Sequence, residues 1–320
     1  MNKIKQLIIN ILIYLKLEIY FIKYRNNLFI QKNQTGGSSD GKYAALLFCT
    51  HLSYIHNWIV GSTNKNNICE FGPGDSLSVG LLYKIFFNKN YIAFDAHPYF
   101  QEDLTLKSLN EAINYLKEIF SKDENHFFQN LEKSPFIDYF NKDEFNFNEF
   151  KSLLKFEGLE NEYDSGLLKN LKYNAPYNSQ DTENFINSSD LIFSQAALEH
   201  VRDLKSLYKS QKTLLSQNGY IYNHIDFKSH GTSLLWNGYY SWTDQEYTLI
   251  EKSNTFQWIN RMPLSYHLKL MEESGLNIVK VVSKKRTDGI KKDQISKDLI
   301  PFFINSEDLN IHSAIVIAKG

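Results

Sequence analysis

A short apolar run, Ile68-Cys69-Glu70-Phe71, ends in Gly72-Pro73-Gly74-Asp75-Ser76 and gives way to a helical stretch from Leu77 to Phe87. Four residues of this kind bounded by glycines read as a buried parallel strand. Gly72 and Gly74 lack a Cβ, so the chain can turn sharply and bring its backbone close to a ligand. The helix that follows offers its free N–H groups at the same place. A second strand, Tyr91-Ile92-Ala93-Phe94-Asp95, ends in an acid. Strand, glycine turn, helix and acid-terminated strand form the first half of a mononucleotide-binding unit. That order restricts the chain to an α/β fold with a mostly parallel sheet and a ligand at the carboxyl ends of the strands. Asp95 is placed to accept hydrogen bonds from ribose hydroxyls, or alternatively to cap a helix. A dinucleotide site would want a third glycine where this chain has Leu77.

The rest of the chain extends the pattern. Residues 43–60 read as a helix leading towards the core, and Asn64-Lys65-Asn66-Asn67 breaks it. Residues 100–165 are charged and Phe-rich, with helical spacing over Leu104–Phe120 and Phe145–Leu159; they read as a helical insertion capping the site. Strands are expected at Leu171–Tyr173, Asp190–Ser194, Tyr220–Ile225, Leu276–Val282 and His312–Ala318. A helix near Asp203 is expected to end at Gly219 as its C-terminal cap, and another runs from Ser265 to Ser274 before Gly275. The expected organisation is an N-terminal helical extension over 1–66 and an α/β domain over 67–320.

Composition narrows the function classes. With 35 basic and 36 acidic residues the net charge is -1, so no global field favours nucleic acid. Cys49 and Cys69 are the only cysteines, and neither sits in a CxxC pair. A disulfide scaffold and a structural zinc site are excluded, which fits a reducing cytoplasmic compartment. Residues 4–22 are apolar but interrupted by Lys5, Asn10, Lys16 and Glu18. They fit a helix packed on the domain or on a second copy in a homodimer, or else an interfacial helix giving peripheral membrane contact.

A third stretch makes the reading specific. Asp190-Leu-Ile-Phe-Ser194-Gln195 is followed by Leu198-Glu199-His200-Val201. Together with Glu70–Ser76 and Tyr91–Asp95, in that order, it resembles class I S-adenosylmethionine-dependent methyltransferases across about residues 66–320. The segment Leu214–Asp226 is similar to the family's glycine turn and fifth strand. The resemblance implies a three-layer, Rossmann-like, seven-stranded sheet with S-adenosyl-L-methionine as cofactor. It implies cofactor contacts from Glu70, Phe71, Gly72, Pro73, Gly74, Asp75, Ser76, Asp95 and Ala96. Adenine contacts would fall near Asp181, and Ser194 and Gln195 would line the pocket. The segment from His224 to Arg261 resembles methyltransferases found among bacterial surface-polysaccharide enzymes, which implies a saccharide or other small polar acceptor.

His224 and Asp226 fall on one side of an extended segment, with His230 close behind. A His–carboxylate pair at a strand's carboxyl end can deprotonate a hydroxyl, so these three are the expected catalytic residues. A metal held by His224, Asp226 and His230 is the weaker alternative, and no metal is expected. Arg261, one of four arginines, suits either bidentate recognition of an acceptor phosphate or carboxylate or a structural ion pair. Trp236 and Tyr239 suit an aromatic platform for a flat ligand, or lid packing. The competing functions are a nucleotide-dependent oxidoreductase and a non-catalytic binding protein of the same fold.

Overall fold

The computed structural model describes residues 39–61, 67–160, 162–169, 171–253 and 258–320, with Ile8, Ile11, Leu12, Leu17, Glu18, Tyr20 and Ile22 before them. Its centre is one seven-stranded sheet in the order β3-β2-β1-β4-β5-β7-β6. The strands are β1 (Asn67–Phe71), β2 (Asn90–Phe94), β3 (Lys172–Asn174), β4 (Ser189–Gln195), β5 (Leu215–Asp226), β6 (Asn277–Lys285) and β7 (Ile311–Lys319). β1 to β5 run parallel, and β7 lies antiparallel to both β5 and β6. This is the mostly parallel Rossmann-like sheet expected.

Helices cover both faces. On one face lie α1 (Gly41–Gly61), α2 (Ser78–Phe87), α3 (Glu102–Ser121), α4 (Glu124–Leu131) and α5 (Phe147–Leu153); on the other lie α6 (Leu204–Leu214) and α8 (Leu264–Glu273). Helix α7 (Asp244–Ser253) belongs to a third cluster formed by the segments after β5 and before β7. α3 forms because Glu102 and Asp103 complement its N-terminus, while Thr105, Ser108, Leu109, Ala112, Ile113 and Leu116 repeat at helical spacing and are buried. α6 begins where the Asp203 side chain accepts from Ser206 N–H and buries Leu204, Leu207, Tyr208, Gln211 and Leu214.

Three expectations change. Gly219 caps no helix: α6 ends at Leu214, and β5 starts at once. A Cβ on Gly219 would lie 2.7 Å from the Ser189 carbonyl, so this glycine lets β5 pass close to β4. The segment 100–165 meets the site through Tyr139 and is otherwise continuous with the helical layer. α3 lies in the helical layer against α1 and α2, and the Phe-rich stretch extends the same core through Phe120, Phe127, Phe147 and Phe150. Helix α1, expected in an N-terminal extension, packs in that core too, through Ala44, Leu47, Phe48 and Leu52.

Most of residues 4–22 lie outside the described residues. Of those described, Glu18 accepts from Ser233 Oγ (2.9 Å) and Leu234 N–H (2.7 Å), and Ile22 is buried among Tyr239 and Tyr240. Ile8, Ile11, Leu17 and Tyr20 are exposed. Among the described residues, no helix is long and apolar enough to cross a membrane.

Candidate active site

The glycine turn sits at the carboxyl end of β1, with Gly72 at φ 74° and Gly74 at φ 77°, both in the left-handed region that favours glycine. Gly72 N–H donates to the Phe94 carbonyl (2.8 Å) and Gly74 N–H to Asp95 Oδ2 (3.0 Å), which ties the turn to the end of β2. A Cβ on Gly72 would lie 2.4 Å from Ala197 Cβ, so the turn after β4 crosses directly over it. Burial raises the Asp95 carboxyl above its ordinary range, against donated bonds from Gly74, His97 and Ala96 N–H groups. Ala96 beside it is exposed.

The other residues expected here divide by what their side chains do. Phe71 stacks on Phe94 at 5.3 Å and meets Tyr177 edge-on; its ring is part of the core beneath the turn, leaving only backbone for a ligand. Pro73 is buried, and the Asp75 carbonyl accepts from Gln101 N–H (3.0 Å). Ser76 Oγ donates inward to Ser78 Oγ (3.0 Å), which is bonded in turn by Ser108. Glu70 is buried on the α1 side and accepts a hydrogen bond from Tyr91 Oη. Burial pushes its carboxyl up to about 8, against the Tyr91 bond. It therefore orients the turn from below rather than facing a ligand. Ser194 is fully buried in a polar chain with Asn223 (2.9 Å) and Gln211, facing α6. Asp181 closes a capping box by accepting from Asn178 N–H (2.8 Å). These two carboxyl and hydroxyl groups are committed to local structure.

The second half of the site lies at the carboxyl ends of β4 and β5. Gln195, His224 and Asp226 point to the α1 face, because strand side chains alternate. Gln195 Nε2 and His224 Nδ1 are 2.6 Å apart. With the amide NH2 donating to Nδ1, the ring proton of His224 sits on Nε2, which has no partner. Burial lowers His224 to about 4, so the ring is neutral near pH 7. The Tyr139 ring lies 4.7 Å from His224, and its hydroxyl bonds Ser313 Oγ (2.6 Å). Asp226 accepts from Lys228 N–H (2.9 Å) and pairs with Lys228 Nζ (2.8 Å). His230 Nε2 stands 3.7 Å from Asp226 Oδ2 and 4.0 Å from Glu199 Oε1. Burial keeps His230 low as well, with Asp226 opposing. The three expected catalytic residues are thus brought together.

Around them lie Glu199 and His200, from the motif that follows β4. Glu199 is 2% exposed, and neither carboxylate oxygen has a hydrogen-bond partner. Burial drives its pKa well up, helped by Asp226. His200 faces the His230 ring at 5.3 Å, and its Nδ1 bonds the Trp258 carbonyl (2.8 Å). Asn260 holds this turn through the Leu198 and Val201 carbonyls. Glu199, His200 and His230 each offer a donor atom within 4.8 Å of the others. Ala196 (φ 47°) and His230 (φ 45°) hold left-handed conformations beside these groups, as strained residues at binding sites do.

Two expected acceptor contacts are corrected. Tyr239 is 1% exposed, its hydroxyl donates to the Phe227 carbonyl (3.0 Å), and it stacks on Tyr240 at 4.2 Å. Arg261 is buried; it donates to the Trp242 carbonyl (2.8 Å), pairs with Asp244 (2.5 Å) and lies over the Tyr247 ring at 4.2 Å. Both hold the third cluster together. Trp236 remains at the rim: it is half-buried, its Nε1 has no partner, and its ring meets His312 edge-on at 6.2 Å, next to Ser313 on β7.

No protein-family model and no curated protein sequence matches the chain. Solved structures of similar fold do. An S-adenosylmethionine-dependent methyltransferase from Methanosarcina mazei is 13% identical, with 83% of this chain and 96% of that one covered at a TM-score of 0.41. Geranyl diphosphate C-methyltransferase from Streptomyces coelicolor A3(2), solved with Mg2+, geranyl diphosphate and S-adenosyl-L-homocysteine, is 9% identical over 84% and 78% of the chains, at 0.40. An S-adenosylmethionine-dependent methyltransferase from Mesorhizobium loti is 13% identical over 86% and 100%, at 0.39.

Proposed function

We propose that the chain transfers a methyl group from S-adenosyl-L-methionine to an oxygen of a small polar acceptor, with a sugar hydroxyl of a surface glycan as the favoured class. The observation that carries this reading is one junction. A two-glycine turn with both residues at positive φ is tied to an acid at the end of the neighbouring strand and lies beneath the turn that carries Glu199 and His200. The cofactor supplies an electrophilic methyl carbon on a sulfonium; the protein's part is to align the acceptor and take its proton.

The residues present suit that cofactor. Gly72 and Gly74 leave the backbone approachable, and Asp95 offers a carboxylate at the strand end with exposed Ala96 beside it. A nicotinamide reading is disfavoured, since Leu77 at the third glycine position is fully buried and its N–H is taken by Thr105 Oγ1 (3.1 Å). In the acceptor half, His224 Nε2–H is a free donor that can hold the acceptor oxygen in place. Asp226 is the group that takes the proton, aided by the His230 ring 3.7 Å away. Trp236, half-buried at the rim with the Arg286 guanidinium 5.7 Å from its ring centroid, is the aromatic group a sugar would meet.

The test is mass spectrometry for a +CH2 product after incubation with S-adenosyl-L-methionine and candidate glycans. Asp226→Asn should bind cofactor as the parent does and lose turnover by about 100-fold or more, the usual size of a lost general base. Unchanged turnover in that variant overturns the assignment.

A further inference from the structure

We infer that Glu199, His200 and His230 form a binding site for one divalent transition-metal cation, bordered by Asp226. A carboxylate buried to 2% exposure normally finds an Arg, a Lys or backbone N–H donors, because an unpaired buried charge is costly. No Arg or Lys pairs with Glu199, and the nearby N–H groups of Glu199 and Asp226 form no full hydrogen bond to either oxygen. The ammonium of Lys228 is committed to Asp226 at 2.8 Å. The groups that face Glu199 are instead ligands: His230 Nε2 lies 4.0 Å from Oε1, also without a hydrogen bond, and the donor atoms of all three residues fall within 4.8 Å.

The surrounding bonds fix the right atoms for coordination. His200 Nδ1 donates to the Trp258 carbonyl at 2.8 Å, which places the ring proton on Nδ1 and leaves the Nε2 lone pair free. A backbone carbonyl in that role is the usual outer partner of a metal-bound histidine. The turn that carries Glu199 and His200 is clamped by Asn260 through two carbonyls, so two of the ligands sit on a fixed support. Asp226 Oδ2 stands 3.7 Å from His230 Nε2. In a tetrahedral site with bonds of about 2.0–2.1 Å, the donors lie roughly 3.3 Å apart. Closing from the observed spacing of up to 4.8 Å brings donors together by as much as about 1.5 Å.

Two imidazoles and one or two carboxylates select Zn2+, Mn2+, Fe2+ or Co2+ over Mg2+ or Ca2+, which prefer all-oxygen shells. Three protein ligands leave a coordination position open. His224 and Asp226 share the same face of β5, so a cation here would border the groups assigned to the acceptor. Metal binding is measured without any methyl transfer, so this inference and the functional reading fail separately.

The experiment uses the full chain stripped with chelator and titrated with Co2+, followed by its visible ligand-field absorption, and with Zn2+ by calorimetry. Thermal melts run in parallel. One ion per chain is expected, with binding weakened tenfold or more in both Glu199→Gln and His230→Ala and unchanged in His126→Ala, a histidine on α4. Metal should raise the melting temperature of the parent chain and not that of Glu199→Gln. His230→Ala changes a half-buried loop residue, so it tests the site even where Glu199→Gln perturbs the fold. Absence of saturable binding, or equal binding by the parent and both variants, would overturn the inference.

Discussion

Gly72→Ala is the substitution in which backbone strain and steric clash can be separated. At φ 74° an alanine pays the left-handed penalty, about 1–2 kcal/mol. Its Cβ would also stand 2.4 Å from Ala197 Cβ, which has no flexible end to move away. Overpacking of that kind adds about 1–3 kcal/mol, for a total of about 2–5 kcal/mol. Gly158→Ala is the matched control, because Gly158 has φ 79° but nothing within 4 Å of its Cβ, so it bears the strain alone. Urea denaturation of both variants yields the two losses, and their difference isolates the contact between the β1 turn and the β4 turn. Ala197 immediately precedes the Leu198–His200 segment, so Gly72→Ala should also weaken cofactor binding, while Gly158→Ala should not. If the two variants lose the same stability, Ala197 does not press on Gly72 and the proposed junction between the two halves of the site is wrong.

Two further outcomes follow from the buried groups. The Glu70 carboxyl titrates near 8 when folded against its ordinary 4.5, so its stabilising contribution is complete below about 4.5 and is lost as pH rises towards 8. Glu70→Gln keeps a partner for Tyr91 and removes that loss; its advantage over the parent in denaturant melts should grow between pH 5 and 8.5, towards an upper bound of about 5 kcal/mol. A constant difference across that range would rule out a protonated Glu70. Arg261→Lys loses the forked contact to Trp242 and Asp244 and should destabilise the chain by about 1–3 kcal/mol with cofactor affinity unchanged. A variant of full stability with weakened acceptor binding would restore Arg261 to the substrate site.

The parts of the fold that were legible in the sequence are those set by local pattern. β1, β2 and β4 are short apolar runs between polar or glycine-containing segments, and the expected limits differ from the observed ones by about a residue. α3 is legible because its buried stripe recurs at helical spacing. What failed depended on partners distant in the chain. Gly219 looked like a helix cap because it follows an amphipathic helix, and only the Ser189 carbonyl reveals its purpose. Tyr239 looked like a surface platform because the residues that bury its cluster, Ile290, Leu299 and Leu309, come well over forty residues later. His224, Asp226 and His230 could be grouped from spacing alone. Glu199 stood in plain view between Leu198 and His200, but nothing in a sequence says that a carboxylate is buried without a partner. Tyr139 reaches His224 from the Phe-rich segment, whose fold no local period encodes.

The central claim is that the turn at Gly72 and Gly74, with Asp95, holds a methyl donor. Calorimetric titration of the full chain with S-adenosyl-L-methionine, and separately with a nicotinamide dinucleotide, tests it most directly. The account predicts saturable one-site binding of S-adenosyl-L-methionine alone, weakened by about 1–3 kcal/mol in Asp95→Ala as the ribose hydrogen bonds are lost. Binding of the dinucleotide without S-adenosyl-L-methionine, or an affinity untouched by Asp95→Ala, would contradict it.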